Sequence, residues 1–347
     1  MATLTANNAL TLNNAIQTAA SGDTVAIVDN INLNNDGSGF QGTITIPATA
    51  NLTLTSQGGP FTVSSVPTPN TRHFILNGAL TLTNIILDGG SNYKSTIPTA
   101  PLAGGGGIVV NSTALLTIET GAVIENCFIN KTVSGQAVQI PNGGTCIMNN
   151  GLIQYNYSTS YMEGGAVGVY TNGSTFELNG GSIQYNGENS GWGNAGIRIF
   201  TYGSATMNGG TINNNSGALG SGVNLDNYAS FTMNDGQIIN NTAANGGGVR
   251  SGTPPNSITI NKGTISNNTA DPSFIASFGP IGQGGGFWFG QGTVTVDINN
   301  AIISNNTAAT GGGIYSQIST NVITISNSII EHNDADGGSG GGYYIGN

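Results

Sequence analysis

Residues 176–186 read FELNGGSIQYN, residues 205–215 read ATMNGGTINNN and residues 231–241 read FTMNDGQIINN. In each, two apolar residues flank one other residue, two turn-forming residues and a Gly follow, and the segment closes on Ile, two variable positions and Asn. The closing motif, aliphatic-x-x-Asn, occurs eight times, ending at Asn126, Asn156, Asn186, Asn215, Asn241, Asn268, Asn306 and Asn333. Successive copies lie 30, 30, 29, 26, 27, 38 and 27 residues apart, the 38 holding an insertion near residues 271–283. Eight positions before each Asn runs an apolar column: Ile118, Met148, Leu178, Met207, Met233, Ile260, Ile298 and Ile325. Ten before it runs another: Leu116, Cys146, Phe176, Ala205, Phe231, Ile258, Val296 and Ile323. That alternation is the period of a strand with one buried face.

A second anchor follows most copies. It is a Gly pair leading into an apolar strand, as at Gly106-Gly107-Ile108, Gly164-Gly165-Ala166, Gly247-Gly248-Val249, Gly285-Gly286-Phe287, Gly312-Gly313-Ile314 and Gly341-Gly342-Tyr343. Each period therefore holds about three short strands separated by corners. One such unit cannot bury its own apolar face and must stack on its neighbours. The predicted fold is all-β, a right-handed parallel β-helix of eleven or twelve coils forming one domain over residues 1–347. A propeller blade would need ~40–45 residues, and leucine-rich repeats a different leucine spacing.

The composition follows from this stacking. The chain has 56 Gly and 47 Asn, and only 6% of its residues are charged. Gly turns corners. Asn at a fixed coil position stacks on Asn one rung away, with side-chain amides bonding along the column. Like charges at the ~4.8 Å rung spacing would repel, so charge is kept out of the coils. A net charge of −10 with six cations argues against a nucleic-acid partner. No run approaches the ~20 apolar residues of a membrane helix, and no secretory signal is visible at the start.

Residues 1–103 keep the same habit less regularly. Residues 9–20, with Leu12, Ala15, Ile16 and Ala19 on one face, form the one plausible helix. It is read as part of a cap, residues 1–25, over the first coil, with irregular early coils over 26–103 and regular ones over 104–347. Nothing resembling a cap follows the strand at residues 343–345. The expectation is that the natural chain continues or that the last coil associates head to tail with another copy.

Alternating Gly-Gly-apolar and apolar-x-x-Asn motifs resemble those of the polymorphic outer membrane proteins of chlamydiae. They are also similar to adhesin-like β-helix surface proteins of bacteria and methanogenic archaea. The segment from Ala15-Ile16 through Gly22-Asp23-Thr24-Val25 looks like the opening of many pectate-lyase-like β-helix proteins. The resemblance implies surface display and adhesion. The chain departs from the chlamydial pattern in lacking a C-terminal barrel segment and in using Ile where those proteins use Phe.

Enzymes on this fold need clustered acids and a base. Here the six basic residues, Arg72, Lys94, Lys131, Arg198, Arg250 and Lys262, are scattered, and His73 and His332 stand alone. No catalytic residue, cofactor or metal is assigned. The Asn34-Asn35-Asp36-Gly37 and Asp334-Ala335-Asp336-Gly337 loops carry oxygen ligands but not the full spacing of a calcium loop, and are read as solvated turns. Cys146 sits in an inward column and Cys127 one residue past a ladder Asn, so no disulfide joins them.

One column carries a functional expectation. The residue after the first apolar position of each post-glycine strand reads Val109, Gln139, Gly168, Arg198, Asn224, Arg250, Trp288, Tyr315 and Tyr344. Arg198, Asn224, Arg250, Trp288, Tyr315 and Tyr344 would form an outward stripe of cations and aromatics suited to a glycan. The expected function is that of a non-enzymatic, extracellular or cell-surface adhesin-like protein. Its partners would be a host or neighbouring cell surface or a polysaccharide. A fibre subunit and a carbohydrate-active enzyme are the alternatives.

Overall fold

The computed structural model describes all residues except 35, 66–67, 69–70, 92–103, 130–134, 160–164, 189–192, 194–195, 274–280, 291 and 347. Lys94, Lys131, Asn35, Gly164 and most of the 271–283 insertion thus lie outside the described residues. The chain is a parallel β-solenoid. Three long sheets run its length, of twelve, eleven and eleven strands, and every pairing in them is parallel. The first sheet runs from Thr3–Ala6 to Val322–Ser326, the second from Ile31–Asn32 to Ile329–Glu331, and the third from Ile44–Ile46 to Tyr343–Ile345.

Register follows the apolar columns. Leu116 pairs with Cys146, Cys146 with Phe176, Phe176 with Ala205 and Ala205 with Phe231, all buried. Their outward neighbours, such as Ser204, Ser230 and Ser257, align rung upon rung on the other face. A one-residue slip would turn every apolar side chain outward, so the columns hold the register.

The coils contain a fourth strand that the sequence pattern did not separate. Just past the ladder position runs a two-residue strand, first over Phe128–Ile129, Tyr157–Ser158 and Gly187–Glu188. It continues through a bridge at Ser216 into Thr242–Ala243, Thr269–Ala270, Thr307–Ala308 and Asp334–Ala335. The helix spans Ala9–Thr18, capped by Asn8, whose side chain accepts from the Thr11 N–H while the Thr11 hydroxyl accepts from the Asn8 N–H. Leu12 and Ile16 press into the first coil. The strand Thr3–Ala6 before the helix adds a rung to the first sheet beyond Thr24–Ile27. In the last coil Val322, Ile329, Tyr343 and Ile345 are exposed.

Candidate functional site

The buried Asn column is a continuous hydrogen-bond ladder. Asn186 donates its Nδ2 to Asn215 Oδ1 (2.9 Å) and to the Ile153 carbonyl (3.1 Å). Its Oδ1 accepts from Asn156 N–H (3.0 Å) and Asn156 Nδ2 (2.9 Å). The same set repeats through Asn215, Asn241, Asn268 and Asn306 to Asn333. The Gly pairs make room for it. A Cβ on Gly286 would lie 2.5 Å from the Gly313 carbonyl and 3.1 Å from Asn306 Nδ2.

Asn126 does not belong to the ladder, which corrects the spacing argument. The corner after Ile118 holds one more residue than the corner after Met148, and Ile124, not Val123, pairs with Ile153. Cys127 therefore takes the ladder position, and its N–H donates to Asn156 Oδ1 (3.0 Å). Asn126 occupies a left-handed position (φ 54°) and donates its side-chain amide to Asp88 Oδ1 (3.1 Å).

Above Cys127 the small residue Gly89 follows in the column, and His73 fills the inner space. His73 is fully buried. Its Nδ1 accepts from Gly107 N–H (2.9 Å), so its proton sits on Nε2, 3.1 Å from the Asp88 carbonyl. Burial pushes its pKa down to about 4. Arg72, beside it, donates to the carbonyls of Gly135 (2.7 Å) and Gln136 (3.2 Å) and to Gln139 Oε1 (3.0 Å), and burial lowers its pKa to about 10. Burial also raises the thiols of Cys127 and Cys146, and both are free.

The Arg/aromatic column is aligned as expected: Arg198 pairs with Asn224, Asn224 with Arg250, Arg250 with Trp288, Trp288 with Tyr315, and Tyr315 with Tyr344. It is not an exposed stripe. Arg198, Asn224, Trp288 and Tyr315 are buried, Arg250 nearly so, and Tyr344 is half-buried. The loop before each strand folds back over it. A Cβ on Gly246 would lie 2.7 Å from the Arg250 Cβ, and one on Gly284 would lie 2.8 Å from the Trp288 Cβ. Both glycines have positive φ, the conformation that lets the loop lie so close. Beneath the loops the column pairs largely within itself, although the Arg250 Nε is buried without a hydrogen-bond partner. Asp226 lies between Arg198 (3.8 Å) and Arg250 (3.7 Å), and Asn224 bridges Asp226 (2.8 Å) and Arg250 (2.8 Å). The Arg250 guanidinium lies 4.8 Å over the Trp288 ring, whose Nε1 donates to Gln283. The signal for this cover was the first glycine in each Gly-Gly-Gly run, such as Gly246 and Gly284.

The exposed groups lie elsewhere, at the corner between the third and first sheets. Tyr202 and Tyr228, one rung apart, stack with centroids 4.6 Å apart and planes within 15°. They are 52% and 54% exposed, and both hold φ 65°. They border an open groove of about 410 Å3, completed by Ala229, Ser230, Pro255, Asn256, Ser257 and Thr295. Asn256 is committed inward, to Ala229 N–H and Ser251. At the opposite end of the first sheet's strands runs a second, exposed Asn ladder, Asn149, Asn179, Asn208, Asn234 and Asn261, with amide bonds of 2.7–2.9 Å. In the sequence these asparagines have the pattern of turn residues, and both tyrosines fall outside the motifs that set the repeat.

Among the described residues no three His, Cys, Asp or Glu side chains gather as a metal site would require. Asp36 instead accepts from Ala9 N–H at the start of the helix and from Ser38 N–H (2.9 Å). Among them, too, no helix is long and apolar enough to cross a membrane. Comparison with protein-family models, curated proteins and solved structures returns no match.

Proposed function

We propose that this chain is a non-catalytic, adhesin-like recognition protein of the cell exterior that binds carbohydrate at the Tyr202–Tyr228 groove. The observation that carries the reading is the character of that groove. Two large aromatic rings stand exposed beside it, the other lining side chains are hydroxyl, amide and aliphatic, and none carries a charge at neutral pH. Flat apolar faces beside hydroxyls match the alternating C–H faces and hydroxyl rims of a sugar ring. Hydrolysis or elimination would need a paired acid and base at the bound bond, and this groove holds neither.

A glycan array probed with the full chain, followed by incubation of the bound polysaccharides with the protein, tests the reading. Retention of glycans without release of shortened products is expected. Products released from any of them would overturn it in favour of an enzyme.

A further inference from the structure

The groove's charge and its repeat along the solenoid narrow the ligand. We infer that the site takes an uncharged pyranose chain lying across successive rungs, with one ring packed on the exposed tyrosine pair. This rests on the binding reading given above.

Three observations carry it. The first is the alignment of the groove floor. Ser230, Ser257 and Thr295, which line the groove, are register partners in consecutive rungs of the first sheet, and Ser204 continues their row one rung earlier on the same outward face. They form a row of hydroxyls at the ~4.8 Å strand spacing, running parallel to the solenoid axis beneath the tyrosines. A polymer laid along that row meets a donor and acceptor at every rung, whereas one laid along a single strand would meet two hydroxyls, such as Ser230 and Thr232, and then the next corner.

The second is the orientation of the rings. Tyr202 and Tyr228 stack on each other from adjacent rungs, so their planes lie across the axis. The ring face of Tyr228 turned away from Tyr202 looks along the row toward the rung of Pro255, another exposed lining residue. A saccharide ring seated against that face has its rim toward Ser230 and Ser257, with Pro255 at the groove's edge.

The third is charge. Two residues along the same face, the neighbouring row runs Thr206, Thr232, Thr259 and Asp297, with Asp297 exposed beside Thr295. Among the described cations, Arg72, Arg198 and Arg250 are covered, and Lys262 is held by Asp235. A uronic-acid or sulfated chain would meet the Asp297 carboxylate and no cation among the groove's lining residues, on a chain whose net charge is −10. An uncharged, hydroxyl-rich chain meets no such penalty.

Calorimetric titration of the full chain tests this with three soluble probes: a neutral β-1,4-linked glucose hexamer, a galacturonic-acid hexamer and a glucosamine hexamer. The variants are Tyr228→Phe, Tyr228→Gly and, as a control remote from the groove, Lys262→Ala. Gly removes the ring and suits the positive φ, so the fold survives the change. The neutral hexamer is expected to bind, with Tyr228→Gly weakening it about tenfold and Tyr228→Phe and Lys262→Ala staying within about twofold. Affinity should be the same at about 50 and about 500 mM salt. Tyr228-dependent binding of the acidic or the amino hexamer in preference to the neutral one would overturn the charge class and leave carbohydrate binding standing. Neutral binding unaffected by Tyr228→Gly would overturn the placement. Binding of no glycan, here or on the array, would remove both inferences.

Discussion

An asparagine inside the buried ladder is bonded to the rungs on both sides, and that sets what its loss costs. Truncating Asn215 removes the acceptor used by Asn186 N–H and Nδ2 and the donor used by the Ile183 carbonyl. Each orphaned buried group costs ~1–3 kcal/mol, so Asn215→Ala should destabilise the protein by about 3–5 kcal/mol in guanidinium unfolding. Asn126→Ala, which breaks one half-exposed contact to Asp88 and puts alanine at a left-handed position, should cost less, about 2 kcal/mol. His73 gives a pH signature. Its folded pKa of about 4 lies below the ~6.5 of the unfolded chain, so the unfolded state binds more protons between those values. The stability His73 contributes is complete above pH ~6.5 and falls as pH drops toward about 4, by roughly 3 kcal/mol in all. His73→Gln, which can still accept from Gly107 and donate to the Asp88 carbonyl, should flatten that part of the stability curve. At this scale the sequence was legible where a residue repeats and illegible where it occurs once. Seven of the eight proposed ladder positions carry a ladder asparagine. The eighth failed because one extra residue in a corner looks identical, by spacing to the next motif, to none at all.

The element that decides the coil is the glycine run ahead of the third-sheet strand, where two constraints meet. The second glycine of the pair faces the ladder, and the one before the pair lies on the Arg/aromatic column. Gly286→Ala would push a methyl group to 2.5 Å from the Gly313 carbonyl. It should cost about 3 kcal/mol in the same assay, as other overpacked sites do. The glycines were read from the sequence as turn formers, which accounts for their backbone and omits what they leave space for. For the same reason the column of Arg198, Arg250 and Trp288 looked exposed. Alternation shows which side chains leave the core, and it carries no information about a loop lying on top of them. The groove at Tyr202 and Tyr228 was hidden for a related reason: it arises where corners from different rungs meet, and corners vary while strands repeat.

On the scale of the molecule, contacts run almost entirely between neighbouring rungs, so perturbations should stay local. Leu12 seals the first coil from the helix. Leu12→Ala should cost ~2–5 kcal/mol of local stability. In hydrogen exchange it should expose the amides of Thr24–Ile27 and Asn51–Ser56 while leaving those of Val296, Ile298 and Ile314 as protected as before. Equal loss of protection along the whole rod would mean that it unfolds as one unit.

The buried ladder also has a direction. Every ladder asparagine takes the peptide N–H of the coil before it, and its own Nδ2 reaches back to that coil's Ile carbonyl. At its head it ends on Cys127, whose backbone N–H suffices to close it. Growth of the rod by duplication is therefore asymmetric. A coil lacking asparagine can be joined at the head without leaving an amide idle, whereas one spliced between Asn215 and Asn241 must bring its own asparagine or cut the chain of amides in two. A designer lengthening this rod, like any duplication that produced it, is unconstrained by the ladder ahead of Cys127 and constrained within it.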